Sequence, residues 1–336
     1  MPLHLVFEVM DTSVYEAARS GDLEKSGDCE HLLLQKTPRN NKILHLAAEF
    51  GQIDFFKSVL IHSQSPEFWA TNNKGDTPMH VSTRAGYDEI VGLLITQARK
   101  LGADEEGVLT DGESYKELLR TKNSIGDMAL HVAIRQGDLE VVILLVEADS
   151  GLCCLTNIAN ESPLFLAISK GFRSIALYML DNSPTSPSFQ GINGVTALHA
   201  AVTRINYEGI VQMMVSKKPE IIKEVDANEW TPLHYAALTG NIGAIRLLMQ
   251  QDSSISYILD KSGMSALHVA AYAGRPKLTQ WRPDTCELVN HKGQTVLHAA
   301  VLGDQFDVIS YIVDTPIELS CCINNRVAPT FPLNAT

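Results

Sequence analysis

Apolar residues fall along the chain in two alternating helical patterns. Runs such as Leu139, Val141, Val142, Leu144 and Leu145, or Ile242, Ile245, Leu247 and Leu248, space aliphatic side chains at i, i+3 and i+4. That spacing puts them on one face of an amphipathic helix. Each run follows a shorter, alanine-rich segment, and a glycine divides the two: Gly51, Gly86, Gly137, Gly171, Gly240 or Gly274. Glycine accepts the left-handed conformation that ends a helix, so the pattern predicts successive pairs of short helices.

The alanine-rich segment opens on a recurring phrase. Its best copies are Thr231-Pro232-Leu233-His234-Tyr235-Ala236-Ala237 and Ser265-Ala266-Leu267-His268-Val269-Ala270-Ala271, and related phrases surround His45, His80, His131, His199 and His298. A degenerate copy, Ser162-Pro163-Leu164-Phe165-Leu166-Ala167, puts Phe165 where the others carry histidine. Measured at that position the steps are 35, 51, 34, 34, 35, 34 and 30 residues. Self-similarity at a fixed step of this size is the mark of a stacked repeat. Turn signals precede each phrase, as in Asn72-Asn73-Lys74-Gly75 and Asp260-Lys261-Ser262-Gly263, where Asn or Asp bonds its own backbone and Gly accepts positive φ. Thr231 suits a helix N-cap, and Pro232 suits the first helical position, where a missing N–H costs nothing. A single helix pair cannot bury its apolar face, so neighbouring modules must stack into a continuous core.

On these residues the chain resembles the ankyrin repeat, whose hallmark is T-P-L-H-x-A at about 33 residues. The resemblance covers roughly residues 11–313. It implies an all-α ankyrin-repeat solenoid of helix-turn-helix modules with projecting turns, about nine of them, between an N-terminal extension (1–10) and an irregular tail (314–336). It also implies that the motif histidine bonds the threonine hydroxyl and nearby backbone. The 51-residue step carries an insertion near 97–119, expected to form a surface loop. The 30-residue step shortens the module near 275–289, where the second helix is expected to be about one turn short.

Charge and chemistry narrow the function. Lys and Arg number 27 against 39 Asp and Glu, a net charge of −12 that opposes the phosphate backbone of nucleic acid. Cys29, Cys153, Cys154, Cys286, Cys321 and Cys322 form neither a Cys-x-x-Cys nor a zinc spacing, and are read as reduced thiols. The longest aliphatic run, Val141 to Val146, is far shorter than the 18 or more residues of a spanning helix, so no direct membrane insertion is expected in this chain. The motif histidines, strung out one per module, cannot converge on a metal. No nucleophile elbow, dinucleotide loop or phosphate loop occurs, so the chain is read as no enzyme, with no cofactor.

Binding positions are left free by the repeat grammar. The turn tips and the last exposed turn of each first helix line the concave face in ankyrin repeats, and here they read Arg84, Arg135, Lys170 and Arg204, then Trp230, Leu238, Met264, Tyr272 and Leu302. The cations suit an acidic partner segment; the later group suits an apolar one. The wording around Met10 to Ala18, Ile43 to Ala48 and Cys286 to Thr295 is similar to that of plant accelerated-cell-death-type ankyrin proteins. Members of that family follow the array with a Pro-Gly-Gly segment and membrane-spanning helices and act in defence and stress signalling; neither feature occurs in this sequence. The expectation is a cytoplasmic scaffold or adaptor whose partners are other proteins, in plant defence or stress signalling. The resemblance adds association with membrane proteins at the cytoplasmic face of the plasma membrane. The alternative is the soluble fragment or short form of a multi-pass membrane ankyrin signalling protein.

Overall fold

The computed structural model describes residues 8–22, 33, 35–62, 69–101, 114–183, 186–278, 285 and 287–314. Two compact units divide the chain, the first ending at Gln190 and the second beginning at Gly191.

In the first unit a short parallel strand pair, β1 (Glu8–Val9) and β2 (Gln35–Lys36), flanks helix α1 (Thr12–Ser20). Helix pairs follow: α2 (Ile43–Phe50) with α3 (Ile53–His62), α4 (Pro78–Ala85) with α5 (Asp88–Leu101), α7 (Ala129–Gln136) with α8 (Leu139–Ala148), and α9 (Pro163–Lys170) with α10 (Arg173–Asn182). Helix α6 (Ser114–Leu119) lies between the second and third pairs. First helices stack on first helices in the order α1, α2, α4, α7, α9, and second helices do the same in the order α3, α5, α8, α10. The second unit repeats the plan with α11 (Ala197–Val202) and α12 (Glu208–Lys217), α13 (Pro232–Thr239) and α14 (Ile242–Gln251), α15 (Ala266–Tyr272), and α16 (Val296–Leu302) with α17 (Phe306–Asp314). Helices α11, α13, α15 and α16 stack in turn.

Small side chains permit this close stacking. Ala47, Ala167, Ala236 and Ala271 have no exposed surface, and neither do the second-helix residues Phe55, Val141, Leu145 and Leu248. Gly137 shows why the divider must be glycine. It sits at φ 77°, and a β-carbon there would lie 2.7 Å from the Phe172 ring of the next module.

The motif histidines act as crossties. The backbone N–H of Thr77 donates to His80 Nδ1 at 3.2 Å, so Nδ1 carries no proton and Nε2 does; Nε2 then donates to the Asp127 carbonyl of the following module at 3.0 Å. The threonine hydroxyl lies 2.8 Å from the same Nδ1. His45 reaches the Asp76 carbonyl, His131 that of Glu161, His199 that of Trp230, His234 that of Met264 and His268 that of Gln294. Each histidine thus holds the N-cap of its own helix and the turn of its neighbour, and burial depresses the pKa of all six below the ordinary 6.5, that of His45 to about 4.

The turns are laced at their tips by backbone hydrogen bonds from module to module, Asn73 to Arg39 and Ser124 to Lys74 in the first unit, Ala227 to Asn193, Lys261 to Asn228 and His291 to Ser262 in the second. Two residues before each cap the chain is left-handed, at Gly75, Gly126, Gly194, Gly263 and Gly293, and also at Asn40, Asn160 and Glu229.

The insertion contributes more than surface loop. Helix α5 runs 14 residues against 10 for α8, and α6 buries Leu119 and Tyr115, whose hydroxyl donates to the Ala148 carbonyl at 3.0 Å. Residues 102–113 lie outside the described residues. In the shortened module a single 3-10 turn, Pro276–Leu278, follows α15; the rest of the expected helix, 279–284 with Trp281, lies outside the described residues, as does the tail beyond Asp314.

Candidate functional site

One register position governs the candidate surface. The residue just before each helix cap and the residue eight positions later, in the last turn of that helix, form a slot that every module repeats. Asp76 and Arg84, Asp127 and Arg135, Trp230 and Leu238, Met264 and Tyr272, and Gln294 and Leu302 all occupy it. The pre-cap residue uses its carbonyl to accept the crosstie from the preceding histidine, so only its side chain is free to vary.

In two modules of the first unit the slot closes on itself. Arg84 donates to both carboxylate oxygens of Asp76, at 2.8 and 3.0 Å, and Asn123 of the next module adds a bond of 3.0 Å. Arg135 grips Asp127 at 2.8 Å and reaches Glu161 at 2.7 Å, with Asn157 also donating to Asp127. Both aspartates are only 1% exposed. Burial alone would raise their pKa values, but the guanidinium and amide bonds outweigh it and hold both below the usual carboxylate range. A cation that already satisfies a buried carboxylate has little left to offer a partner. Lys170 is exposed and, among the described residues, enters no ion pair. A cavity of about 490 Å³ lies beside Arg84 and Asp76, with Arg39 and Lys74 on its wall.

In three successive modules of the second unit the slot is open and, Gln294 apart, apolar. Trp230, Leu238, Met264, Tyr272 and Leu302 line one groove of about 520 Å³, floored by Val269 and Ala299. Trp230 is fixed on three sides: its Nε1–H donates to Asp260 at 2.9 Å, its ring stacks on His234 with centroids 5.9 Å apart, and it packs at right angles to the Tyr235 ring with centroids 5.5 Å apart. Asp260 also accepts from the Met264 and Ser262 backbone and the Ser262 hydroxyl. A preorganised aromatic wall loses little entropy when a partner settles on it. Tyr272 and Leu302 stay open to solvent, at 52% and 62% exposure. Arg204 stands apart from the groove, its guanidinium over the Tyr207 ring at 5.9 Å.

Five of the nine expected positions therefore converge in one groove, two engage in pairs inside the first unit, and Lys170 and Arg204 belong to neither set. Inspection of single residues does not reveal Asp76 and Asp127 as partners of the arginines, nor the groove's polar rim of Asp260, His291 and Lys292. The eight-residue spacing was the signal that could have found the first two. Among the described residues no three His, Cys, Asp or Glu side chains gather as metal ligands would, and no helix is long and apolar enough to cross a membrane.

The family model for ankyrin repeats (three copies) matches residues 14–105, 109–188, 130–224 and 198–281. The chain belongs to the ankyrin-repeat family. Among curated ankyrin-like relatives, Protein ACCELERATED CELL DEATH 6 of Arabidopsis thaliana is 24% identical over 70% of this chain and 36% of its own length. The probable 26S proteasome regulatory subunit p28 of Saccharomyces cerevisiae is 23% identical over 65% of this chain and 89% of its own. The chain spans about a third of the first relative. The crystal structure of the ankyrin repeat domain of Bcl-3 superposes with a TM-score of 0.56 at 22% identity, covering 72% of this chain and 99% of that one, which shows the ankyrin fold. That fold, typically an interaction module without chemistry of its own, accounts for the crosstie histidines.

Proposed function

We propose that the protein is a scaffold or adaptor without catalytic chemistry, and that it holds partner proteins in the groove of its second unit. The observation that carries this reading is the contrast within one slot: the same position that is consumed by Asp–Arg pairs in two modules of the first unit presents Trp230, Leu238, Met264, Tyr272 and Leu302 along a groove in the second. Aromatic and aliphatic anchors around a rigid pocket are the residues that dominate binding energy at interfaces. The likeness to Protein ACCELERATED CELL DEATH 6 supports a setting in plant defence or stress signalling, in the cytoplasm or at the cytoplasmic face of the plasma membrane, with membrane proteins among the partners. The same likeness supports the second reading, in which this chain is the soluble part or short form of a multi-pass membrane signalling protein.

Affinity capture from the native source with the full chain and a Trp230→Ala/Tyr272→Ala variant tests the groove. Specific partners should be lost from the variant while its far-UV circular dichroism is kept. An unchanged partner set in a folded variant removes the groove from the account.

A further inference from the structure

The rim of the groove carries charge that its floor does not use. Lys292 and His291 stand at the edge, and Lys261 sits on the neighbouring turn tip; all three are exposed, and among the described residues neither lysine enters an ion pair. The carboxylate that lines the groove, Asp260, is 8% exposed and already accepts from Trp230, Ser262 and Met264. Glu229, on the turn tip before Trp230, is exposed and, like Lys261, does not itself line the groove, so rim and tips together set two lysines against one exposed carboxylate. On a chain of net charge −12 this is a local cationic edge around an apolar floor. The groove also runs along three successive modules, from Trp230 through Met264 and Tyr272 to Leu302. Helices stack about 8–10 Å apart, so the floor is about 20 Å long, the reach of about six residues of extended chain.

We infer that the groove takes an extended peptide segment with aliphatic or aromatic anchors at alternate positions and at least one carboxylate beside them, which lies against Lys292 and Lys261. This rests on the scaffold reading and adds the partner's chemistry to it. Alternation matters because side chains of an extended segment point to opposite faces, so every second residue enters the groove and those between remain in water. A rim cation in water contributes modestly to affinity and more to the choice of partner.

The test is selection of a random octapeptide display library on the immobilised full chain, read by sequencing. The wild type should enrich Leu, Ile, Phe or Trp at alternate positions flanked by Asp or Glu. A Lys261→Glu/Lys292→Glu variant should weaken an individual selected acidic peptide on the order of tenfold and turn the flanking preference toward Lys and Arg. A Leu302→Asp variant, changed at an exposed position where folding is not at stake, should lose the apolar enrichment. Apolar enrichment with no acidic bias, or a bias that the lysine reversals leave unchanged, overturns the inference while the scaffold reading stands. Enrichment unaffected by Leu302→Asp, or none at all, overturns both. Sedimentation showing a dimer that Leu302→Asp abolishes would assign the groove to a second copy of the chain and overturn the peptide.

Discussion

Replacing His45 with phenylalanine should make stability fall less steeply with acid, by the share that this one of six buried histidines contributes. His45 is fully buried, its Nδ1 accepting from the Lys42 backbone at 3.2 Å and its Nε2 donating to the Asp76 carbonyl at 3.0 Å. Burial disfavours the imidazolium most, the Asp76 carbonyl partly restores it, and the result is a pKa of about 4. The unfolded chain takes up this proton near 6.5, whereas the native chain refuses it until about 4. Between those values the unfolded state binds more protons, so the contribution of His45 to stability is fully present above 6.5, falls as the pH drops toward 4, and changes no further below. The drop corresponds to about 3 kcal/mol over the window, or roughly 1.2 kcal/mol per pH unit near pH 5. Phenylalanine binds no proton, and Phe165 shows that the position accepts it, with its ring buried and its N–H capped by Ser162 at 3.2 Å. The substitution removes two hydrogen bonds, from the Lys42 N–H and to the Asp76 carbonyl, which keeps the Asn72 N–H at 3.0 Å, so at pH 7 the variant should be about 1–3 kcal/mol less stable. Urea unfolding followed by far-UV circular dichroism at pH 7, 6 and 5 should then show wild type and variant converging on the acid side. Parallel curves, with the same slope in both, would refute the argument that burial holds His45 neutral.

Other consequences are open to measurement. Glu229 holds the left-handed position at φ 64° that glycine holds in most other turns, so Glu229→Gly should stabilise the second unit by roughly 0.5–1 kcal/mol, the αL strain exceeding the entropic cost of glycine; a lower urea midpoint would contradict this. Arg135→Ala should destabilise the first unit by about 2 kcal/mol, because Asp127 keeps its burial and loses its guanidinium, with the figure reduced from that of a fully buried pair by the 33% exposure of the Arg135 side chain; Arg135→Lys should recover part of the loss in the same denaturation assay. Cys153 is buried and its thiol is pushed up to about 12, while Cys154 is exposed, so a thiol reagent mapped by mass spectrometry should label Cys154 in the native protein and reach Cys153 only after denaturation.

The fold was legible because its determinants are local. The cap, the left-handed glycine and the apolar stripe each act within a few residues, and repetition multiplied a weak signal until the step of about 34 residues became unmistakable. Glu229 could also have been read, by setting it against Gly75, Gly126 and Gly263 in the same turn position. Helix α6 could not, since Ser114–Leu119 belongs to no repeated phrase and is recruited only because Tyr115 and Leu119 find the space beside α8.

The candidate surface divides in the same way. Its amino acids fixed which side chains carry no packing duty, so all nine variable positions could be named from spacing. Only the tertiary structure decided that Arg84 and Arg135 turn back onto buried aspartates while Trp230, Leu238, Met264, Tyr272 and Leu302 share a groove. An isolated arginine reads as a free cation until the turn eight residues before it is folded against the end of its helix, and that juxtaposition depends on the angle between turn and helix, which no pattern of hydrophobic and polar residues encodes.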